Sequence, residues 1–376
     1  MKIHYDYVSR EMFNETKRLT SYSHKISQKL ECISYENATV VPSNYFFSGG
    51  VLDSNGESIK SSAFNEKFTV GEVPARKDSI ERLGNAIYLG FLHNVWGHCL
   101  MDSLKKLWFL YTKECQSLLL SGASLIYITP NNEPLSERTI EFLKLANVPV
   151  DKLVHIVHYV SFKKIYIPDN SLICKLTPKG QDEYFFTEEF VSVYKIIKSH
   201  IDLEPYTGIR KIYLSRTHLK QHWRETGETI IENQFRKKKF QIIHPEELSL
   251  LDQLKLYISS DEFAATEGSI SHNAIFCRPG SKVYLVRKSY YINGYQNIIS
   301  EIADLEVTYI DAHSSNPKYQ FSRESGPFYM CVTPELERFV GHKISHLPRL
   351  MSPSWWWYCN RNRKIVHFIK RIFGVE

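Results

Sequence analysis

The sequence predicts an α/β protein built on parallel sheets. Short runs of β-branched and aromatic residues alternate with helical segments along two stretches of the chain. Strands that alternate with helices of this length are typical of right-handed βαβ units, which place the strands in parallel. The strands predicted in the second stretch are residues 211–215, 240–244, 262–266, 282–286 and 307–311.

The first stretch, residues 85–170, predicts a smaller Rossmann-like domain. Its expected helices are residues 100–111 and 136–146, the second with Ser136 as N-cap. A third helix is expected at residues 185–198, ahead of a hinge at residues 205–208. The strands predicted here are residues 86–89, 125–129, 154–158 and 164–168.

These elements divide the chain into three parts. Residues 1–205 are expected to form an N-terminal Rossmann-like domain with a loop-rich start, and residues 206–320 a C-terminal Rossmann-like domain. Residues 321–376 form a C-terminal extension. Within it, residues 354–373 are basic, aromatic and amphipathic, which is typical of a segment lying in a membrane interface. The alternative is a helix that packs back across the first domain.

Composition narrows the classes of function. A net charge of +6 over 376 residues suits an anionic ligand or a negatively charged membrane face, but it does not indicate nucleic-acid binding. The seven cysteines are scattered without a CxxC pair, so neither a disulfide framework nor a zinc site is predicted. We expect a reducing compartment. The first residues lack the apolar core of a signal peptide, and no apolar run is long enough to span a bilayer.

Gly268 marks the clearest candidate ligand site. It follows a predicted strand and precedes a predicted helix, and ligands of parallel sheets bind beyond the carboxyl ends of the strands. A glycine there lets the backbone approach a ligand closely. The N–H groups of residues 269–271 could then bind a phosphate or diphosphate. The alternative is an ordinary turn with a serine cap, and neither GxGxxG nor GxxxxGK[ST] is present.

His98 and Asp102 form a second candidate site. They lie four residues apart on a predicted helix and are therefore neighbours on its surface. A carboxylate beside a histidine fixes the tautomer of the ring and stabilises its protonated form, as a general base near neutral pH requires. The alternative is a histidine paired for structure at the start of the helix.

Two ordered sets of motifs extend these candidates. The second domain contains Ser215-Arg216, Arg224, Pro245-Glu246-Glu247-Leu248-Ser249 with Gln253, Gly268-Ser269 with His272-Asn273 and Phe276, and Pro279-Gly280. The first contains Asn94, Gly97-His98, Asp102 and Leu104. Together they resemble glycosyltransferase family 61, especially its bacterial branch. Glu267 and His272 stand where plant and animal members have His and Thr.

The resemblance implies a GT-B fold, in which two Rossmann-like domains face each other across a cleft. It implies an inverting transfer of a sugar from a nucleotide diphosphate sugar to a hydroxyl of a glycan or lipid-linked glycan. The expected product is a bacterial surface polysaccharide such as capsule or lipopolysaccharide. We expect no metal and no further cofactor. The expected location is the cytoplasm, at the inner face of the plasma membrane.

Roles follow from this interpretation. His98, oriented by Asp102, is expected to be the base, with Glu267 as a rival. Arg216 and Arg224 are expected to neutralise the diphosphate, and Glu246 to bind the ribose. The expected donor-binding residues are Arg216, Arg224, Glu246, Gly268, Ser269, Ile270, Ser271, His272 and Asn273. His93 and Asn94 are expected on the acceptor side.

Three other classes of function stay open at this stage. An epimerase of the same two-domain shape would interconvert free nucleotide sugars without an acceptor. A non-catalytic protein of the same fold would bind glycans only. A nucleic-acid binder would need a contiguous basic face, which the sequence does not display.

Overall fold

The computed structural model describes residues 1–43, 47–66, 70, 81–176, 182–202, 209–219, 225–291, 293–313 and 328–344. The chain forms two compact units. The inserted unit consists of the described residues of Ser23–Glu204 and Asn297–Ile302. The split unit consists of the described residues of Met1–Tyr22, Pro205–Gln296 and Ala303–Glu376.

Strands and helices are numbered in chain order. The strands are β1 (Lys2–Tyr7), β2 (Cys32–Val41), β3 (Gly50–Leu52), β4 (Glu81–Phe91), β5 (Ser124–Ile128), β6 (Leu153–His155), β7 (Val160–Pro168), β8 (Leu172–Leu176), β9 (Asp182–Phe186), β10 (Lys211–Leu214), β11 (Glu225–Thr226), β12 (Gln241–Ile243), β13 (Glu262–Thr266), β14 (Lys282–Arg287), β15 (Glu306–Asp311) and β16 (Phe328–Tyr329). The α-helices are α1 (Arg10–Thr20), α2 (Trp96–Met101), α3 (Lys113–Leu120), α4 (Glu137–Leu145), α5 (Glu188–Ser199), α6 (Glu228–Lys237), α7 (Leu250–Ser259), α8 (Gly294–Ile302) and α9 (Pro334–Val340). Short 3₁₀ helices include Asp102–Leu104, Leu107–Tyr111, Pro245–Glu247 and Ser271–Phe276.

The split unit contains a six-stranded parallel sheet in the order β1-β15-β14-β13-β10-β12. Its central strands are apolar on both faces because helices cover them, as Ala264 and Val286 in the core illustrate. Leu214 is level with Ala265, and Thr266 is level with Val286. The segments that follow these strands therefore share one edge of the sheet, the carboxyl edge.

The inserted unit contains a second, mixed sheet in the order β3-β2-β7-β4-β5-β6. The strands β7, β4, β5 and β6 are parallel, and β2 runs antiparallel to both β7 and β3. Buried side chains of this sheet, among them Tyr88, Ile126 and Phe162, form its core. The α/β class with parallel sheets is thus confirmed, and every predicted strand of both stretches overlaps an observed one.

The structure differs from the prediction at the N-terminus. Residues 1–22 belong to the split unit, because β1 pairs in parallel with β15 at the edge of its sheet. The buried Arg287 binds Asp311 through Nε at 2.6 Å and Thr16 of α1 through Nη1 at 2.8 Å. The predicted boundary of the first domain, 1–205, missed this pairing because β1 is a half-polar strand with no buried position.

Two helices also differ in extent. The predicted helix 100–111 is divided into the end of α2 and two 3₁₀ segments, and the predicted helix 185–198 is shortened at its start because β9 extends to Phe186. Ser136 does cap α4, accepting from the Thr139 N–H at 3.2 Å. The predicted hinge 205–208 and the tail 354–373 both lie outside the described residues. Among the helices that the structure describes, none combines the length and apolar character needed to cross a bilayer.

Candidate functional site

His98 lies on α2, which begins shortly after the buried strand β4. Its Nδ1 is 2.7 Å from Oδ2 of Asp102, whose side chain is fully buried, while 32% of the His98 side chain is exposed. Burial opposes ionisation of Asp102, but the hydrogen bond from His98 and the nearby charges lower its pKa to about 2. An ionised carboxylate only accepts, so Nδ1 carries the proton and the neutral ring has its lone pair on Nε2.

Lys105 is a member of this group that the sequence interpretation missed. Its buried Nζ donates to Oδ1 of Asn65 at 3.1 Å and lies 3.8 Å from Oδ1 of Asp102. Burial lowers the pKa of Lys105, against the charge of Asp102. The spacing Asp-x-x-Lys on a helical segment is a signal that could have found it.

Aromatic rings surround the histidine of this group. Phe47 and Phe64 meet the ring of His98 edge-on at centroid distances of 5.7 and 5.9 Å. The ring of His93 lies 5.1 Å from that of His98. His93 is buried, and burial lowers its pKa to about 3, so it is neutral at physiological pH. The apolar wall thus isolates His98 and Asp102 from bulk water on one side.

Asn94 makes contacts that organise the backbone. Its Oδ1 accepts from the Ser136 N–H at 2.8 Å, and its Nδ2 donates to the carbonyl of Pro134 at 2.8 Å. It therefore ties the segment before α2 to the start of α4. His93 is held similarly, since its N–H donates to Oγ of Ser103 at 2.9 Å.

In the split unit, Arg216 and Lys288 converge on one carboxylate. Arg216 follows β10 and its Nη1 is 2.6 Å from Oε1 of Glu225. Lys288 follows β14 directly and donates to the same oxygen. Glu225 and Lys288 are both buried, while 30% of the Arg216 side chain is exposed. Two cations therefore meet at the carboxyl edge of the sheet.

Glu228 lies behind this cluster at the start of α6. Its Oε1 accepts from the N–H of Arg216 at 3.2 Å and from the hydroxyl of Tyr213 at 3.2 Å. Burial, followed by the charge of Glu225, raises its pKa to about 7. Glu228 therefore carries a proton over most of the acidic range and adds little negative charge beside Arg216.

The turn after β13 comes close to Lys288. Gly268 has φ +137°, a conformation that L side chains rarely adopt, and a Cβ there would lie 3.4 Å from Nζ of Lys288. The Ser271 N–H donates to the carbonyl of Gly268 at 2.9 Å, and its hydroxyl accepts from the Gly268 N–H at 3.2 Å. Ser271 thus closes the turn. The N–H groups of Ser269 and Ile270 have no protein partner among the described residues.

The sequence profile of Glycosyltransferase 61 matches residues 96–284, half of the 376-residue chain. The chain belongs to glycosyltransferase family 61. It is therefore a glycosyltransferase, with a sugar donor and a glycan acceptor in the general sense. The match covers His98, Asp102, Arg216 and Glu225 and ends before Lys288. A search of curated proteins returned no match.

Three further candidates of this family 61 chain lie around the Gly268 turn. Glu267 is buried and accepts from the Asn293 N–H at 3.2 Å, and burial raises its pKa to about 7 despite the charge of Arg287. Asn273 donates to the carbonyl of Ile270 at 2.9 Å. His272 is buried and packs edge-on against Tyr295 at 5.9 Å. Glu267 and Asn273 are thus engaged in hydrogen bonds that hold the turn, and His272 is packed beside it.

Of the two remaining predicted donor-binding residues, the structure describes only one. Glu246 is exposed, in the 3₁₀ helix Pro245–Glu247 after β12, at the same carboxyl edge. Arg224 lies outside the described residues. Lys288 was missed because the sequence interpretation considered the ends of only three strands. The basic pair Arg287-Lys288 at the end of the fourth strand could have indicated it. Within the described part of the chain, no three His, Cys, Asp or Glu side chains group as metal ligands.

Proposed function

We propose that this family 61 enzyme transfers a sugar from a nucleotide diphosphate sugar to an acceptor hydroxyl in one inverting displacement. The acceptor O–H would give its proton to Nε2 of His98 as its oxygen attacks the anomeric carbon. The bond from that carbon to the diphosphate breaks, and the diphosphate leaves with the electron pair. The observation that carries the proposal is the partly exposed His98, whose Nδ1 is bound by the buried, ionised Asp102 at 2.7 Å.

Charge at the carboxyl edge supports a diphosphate leaving group. Arg216 and Lys288 point to the same place, and a guanidinium can hold two phosphate oxygens at once. The Ser269 and Ile270 N–H groups lie in the adjoining turn. We assign donor binding to these groups, together with Gly268 for close backbone approach.

The base is assigned to His98 rather than Glu267. Glu267 is buried and already accepts a backbone N–H, which suits it to holding the turn. His98 has an exposed fraction of 32%, so an acceptor can reach it. Activity without a metal, a bacterial surface polysaccharide as product and an inner-membrane location are further parts of the proposal.

Donor binding is tested by thermal stabilisation of the full chain in chelator with UDP-, GDP-, dTDP- and CMP-sugars. A ligand at one hundred times its Kd adds about 2.7 kcal/mol to the free energy of unfolding. We expect one diphosphate donor to stabilise the protein and Arg216→Ala to lose the effect. If a donor stabilises the protein only when Mn²⁺ or Mg²⁺ is added, activity without a metal is contradicted. If none of the nucleotide sugars stabilises the protein, the proposal of a nucleotide diphosphate sugar as donor is contradicted.

Transfer is then measured with the stabilising donor and an array of glycan acceptors. His98→Ala is expected to lower kcat by about 10²- to 10⁴-fold while donor affinity stays unchanged. The control is His200→Ala, which changes an exposed histidine that ends α5. Equal turnover in His98→Ala and the control would refute the base assignment. The configuration of the anomeric carbon in the product, read by NMR, distinguishes inversion from retention.

A further inference from the structure

Two histidines form a face-to-face stack at the carboxyl edge of the split unit's sheet. His218 follows β10 and His244 follows β12, the neighbouring edge strand. Their ring centroids are 3.5 Å apart and their planes differ by 1°. Nothing in the proposed mechanism uses either ring.

The stack is held in place from one side. Oε1 of Glu247 lies 2.6 Å from Nδ1 of His218, which fixes the orientation of that ring. His244 covers one face of the His218 ring, yet 55% of the His218 side chain is exposed. More than half of the His218 side chain thus stays accessible, and a third planar ring stacked on it would lie on the face opposite His244. Base stacking on aromatic side chains, histidine included, is a recurrent mode of nucleotide recognition.

The position of the stack matches the order of groups in a nucleotide. His218 is two residues after Arg216, so their Cα atoms are at most about 7 Å apart. Glu246, expected at the ribose, is close enough for its charge to raise the pKa of His218, after the larger effect of the hydrogen bond to Glu247. Along the edge, the stack over β12 and β10 is followed by Arg216 and then, across β13, by Lys288.

We propose that the His218–His244 stack is the platform on which the nucleobase of the donor lies. The base rests on the face of His218 opposite His244, and the diphosphate extends along the edge toward Arg216 and Lys288. This inference rests on the proposed function, because it assumes a nucleotide donor. It also gives that donor a direction across the sheet.

The test compares binding of nucleoside diphosphates and of inorganic diphosphate to the full chain by calorimetry. His218→Ala is expected to weaken the preferred nucleoside diphosphate by roughly ten-fold or more, and to leave inorganic diphosphate unchanged. His218→Phe keeps a planar ring and is expected to restore most of the affinity. The matched control is His342→Ala, an exposed histidine just after α9, which should change neither ligand.

The ultraviolet absorbance of the bound base gives a second measurement, which would not change if His218 had only a structural role. Stacking lowers the absorbance of a base, so wild type and His218→Phe should show this change on binding, and His218→Ala should not. Equal weakening of both ligands in His218→Ala would assign a structural role and overturn the platform. Unchanged nucleoside diphosphate affinity would also overturn it, while leaving the proposed function intact. A wild type that binds no nucleoside diphosphate would overturn both.

Discussion

The inserted unit and the split unit use a buried carboxylate for opposite purposes. In the inserted unit, a fully buried carboxylate, Asp102, supports one partly exposed imidazole, so the arrangement presents a proton acceptor. In the split unit, Arg216 and Lys288 share one oxygen of the buried Glu225, so the arrangement presents positive charge. Under the proposed function, an α/β unit serves proton transfer in one case and anion binding in the other, depending on which sign of charge is left accessible.

Of the changes that test this comparison, removing the charge of Asp102 should have the largest effect on kcat. Asp102→Asn keeps the shape, but its amide can donate to Nδ1 and so favour the wrong tautomer of His98. We expect kcat to fall by about 10²- to 10³-fold with donor affinity unchanged. Asp151→Asn, an exposed change in the same unit, is the control. If kcat stays within about two-fold of wild type, Asp102 only stabilises the fold.

Lys288 should have the next largest effect, confined to the donor. Lys288→Ala removes one charge-assisted hydrogen bond, of about 1.5–3 kcal/mol, so donor affinity should fall by roughly ten- to one-hundred-fold. Lys288→Arg should retain more of it. Lys282→Ala is a sharp control because Lys282 is exposed at the opposite end of the same strand. If both alanine variants behave alike, Lys288 does not contact the donor.

The inserted unit should lose stability on acidification through His93. Its folded pKa of about 3 lies below the ordinary histidine value of 6.5, so its contribution to stability is complete above pH 6.5 and is lost as pH falls toward 3. At pH 5 the loss amounts to about 2 kcal/mol. His93→Leu should therefore give a shallower fall in Tm between pH 7 and pH 5. An unchanged slope would mean that His93 is not buried as described.

The split unit should show the reverse dependence of stability on pH through Glu228. Its folded pKa of about 7 lies above the ordinary glutamate value of 4.5, so its contribution to stability is present below pH 4.5 and is lost as pH rises through 7. Glu228→Gln keeps the acceptor for the Arg216 N–H. It should raise stability at pH 8 by about 3 kcal/mol and change little at pH 4. Stabilisation that is equal at both values would contradict the raised pKa.

The sequence predicted what depends on local pattern. The strands β13 and β14 were predicted within one residue because each carries a run of apolar residues, 263–265 and 283–286, most of which are buried. The pairing of His98 with Asp102 follows directly from a helical spacing of four. Lys288 could not be paired with Arg216 in this way, because their meeting at Glu225 depends on the order of strands in the sheet.

Polar residues at the edges of the sheet were the other features that the sequence did not predict correctly. β1 has no buried residue and alternates charged with aromatic side chains, so its pairing with β15 leaves no apolar signature. Ser271 was expected to offer its N–H to phosphate, but that group binds the carbonyl of Gly268. Such local hydrogen bonds compete with ligand binding and cannot be read from the identity of a serine alone.

The pairing of β1 with β15 has a consequence for the timing of synthesis. Lys2 is level with Glu306, so the first strand waits for about 300 residues to be translated before its partner exists. At about 5–20 residues per second, that delay lasts roughly 15–60 s. During this interval the inserted unit, continuous except for residues 297–302, can fold while the start of the chain stays unpaired.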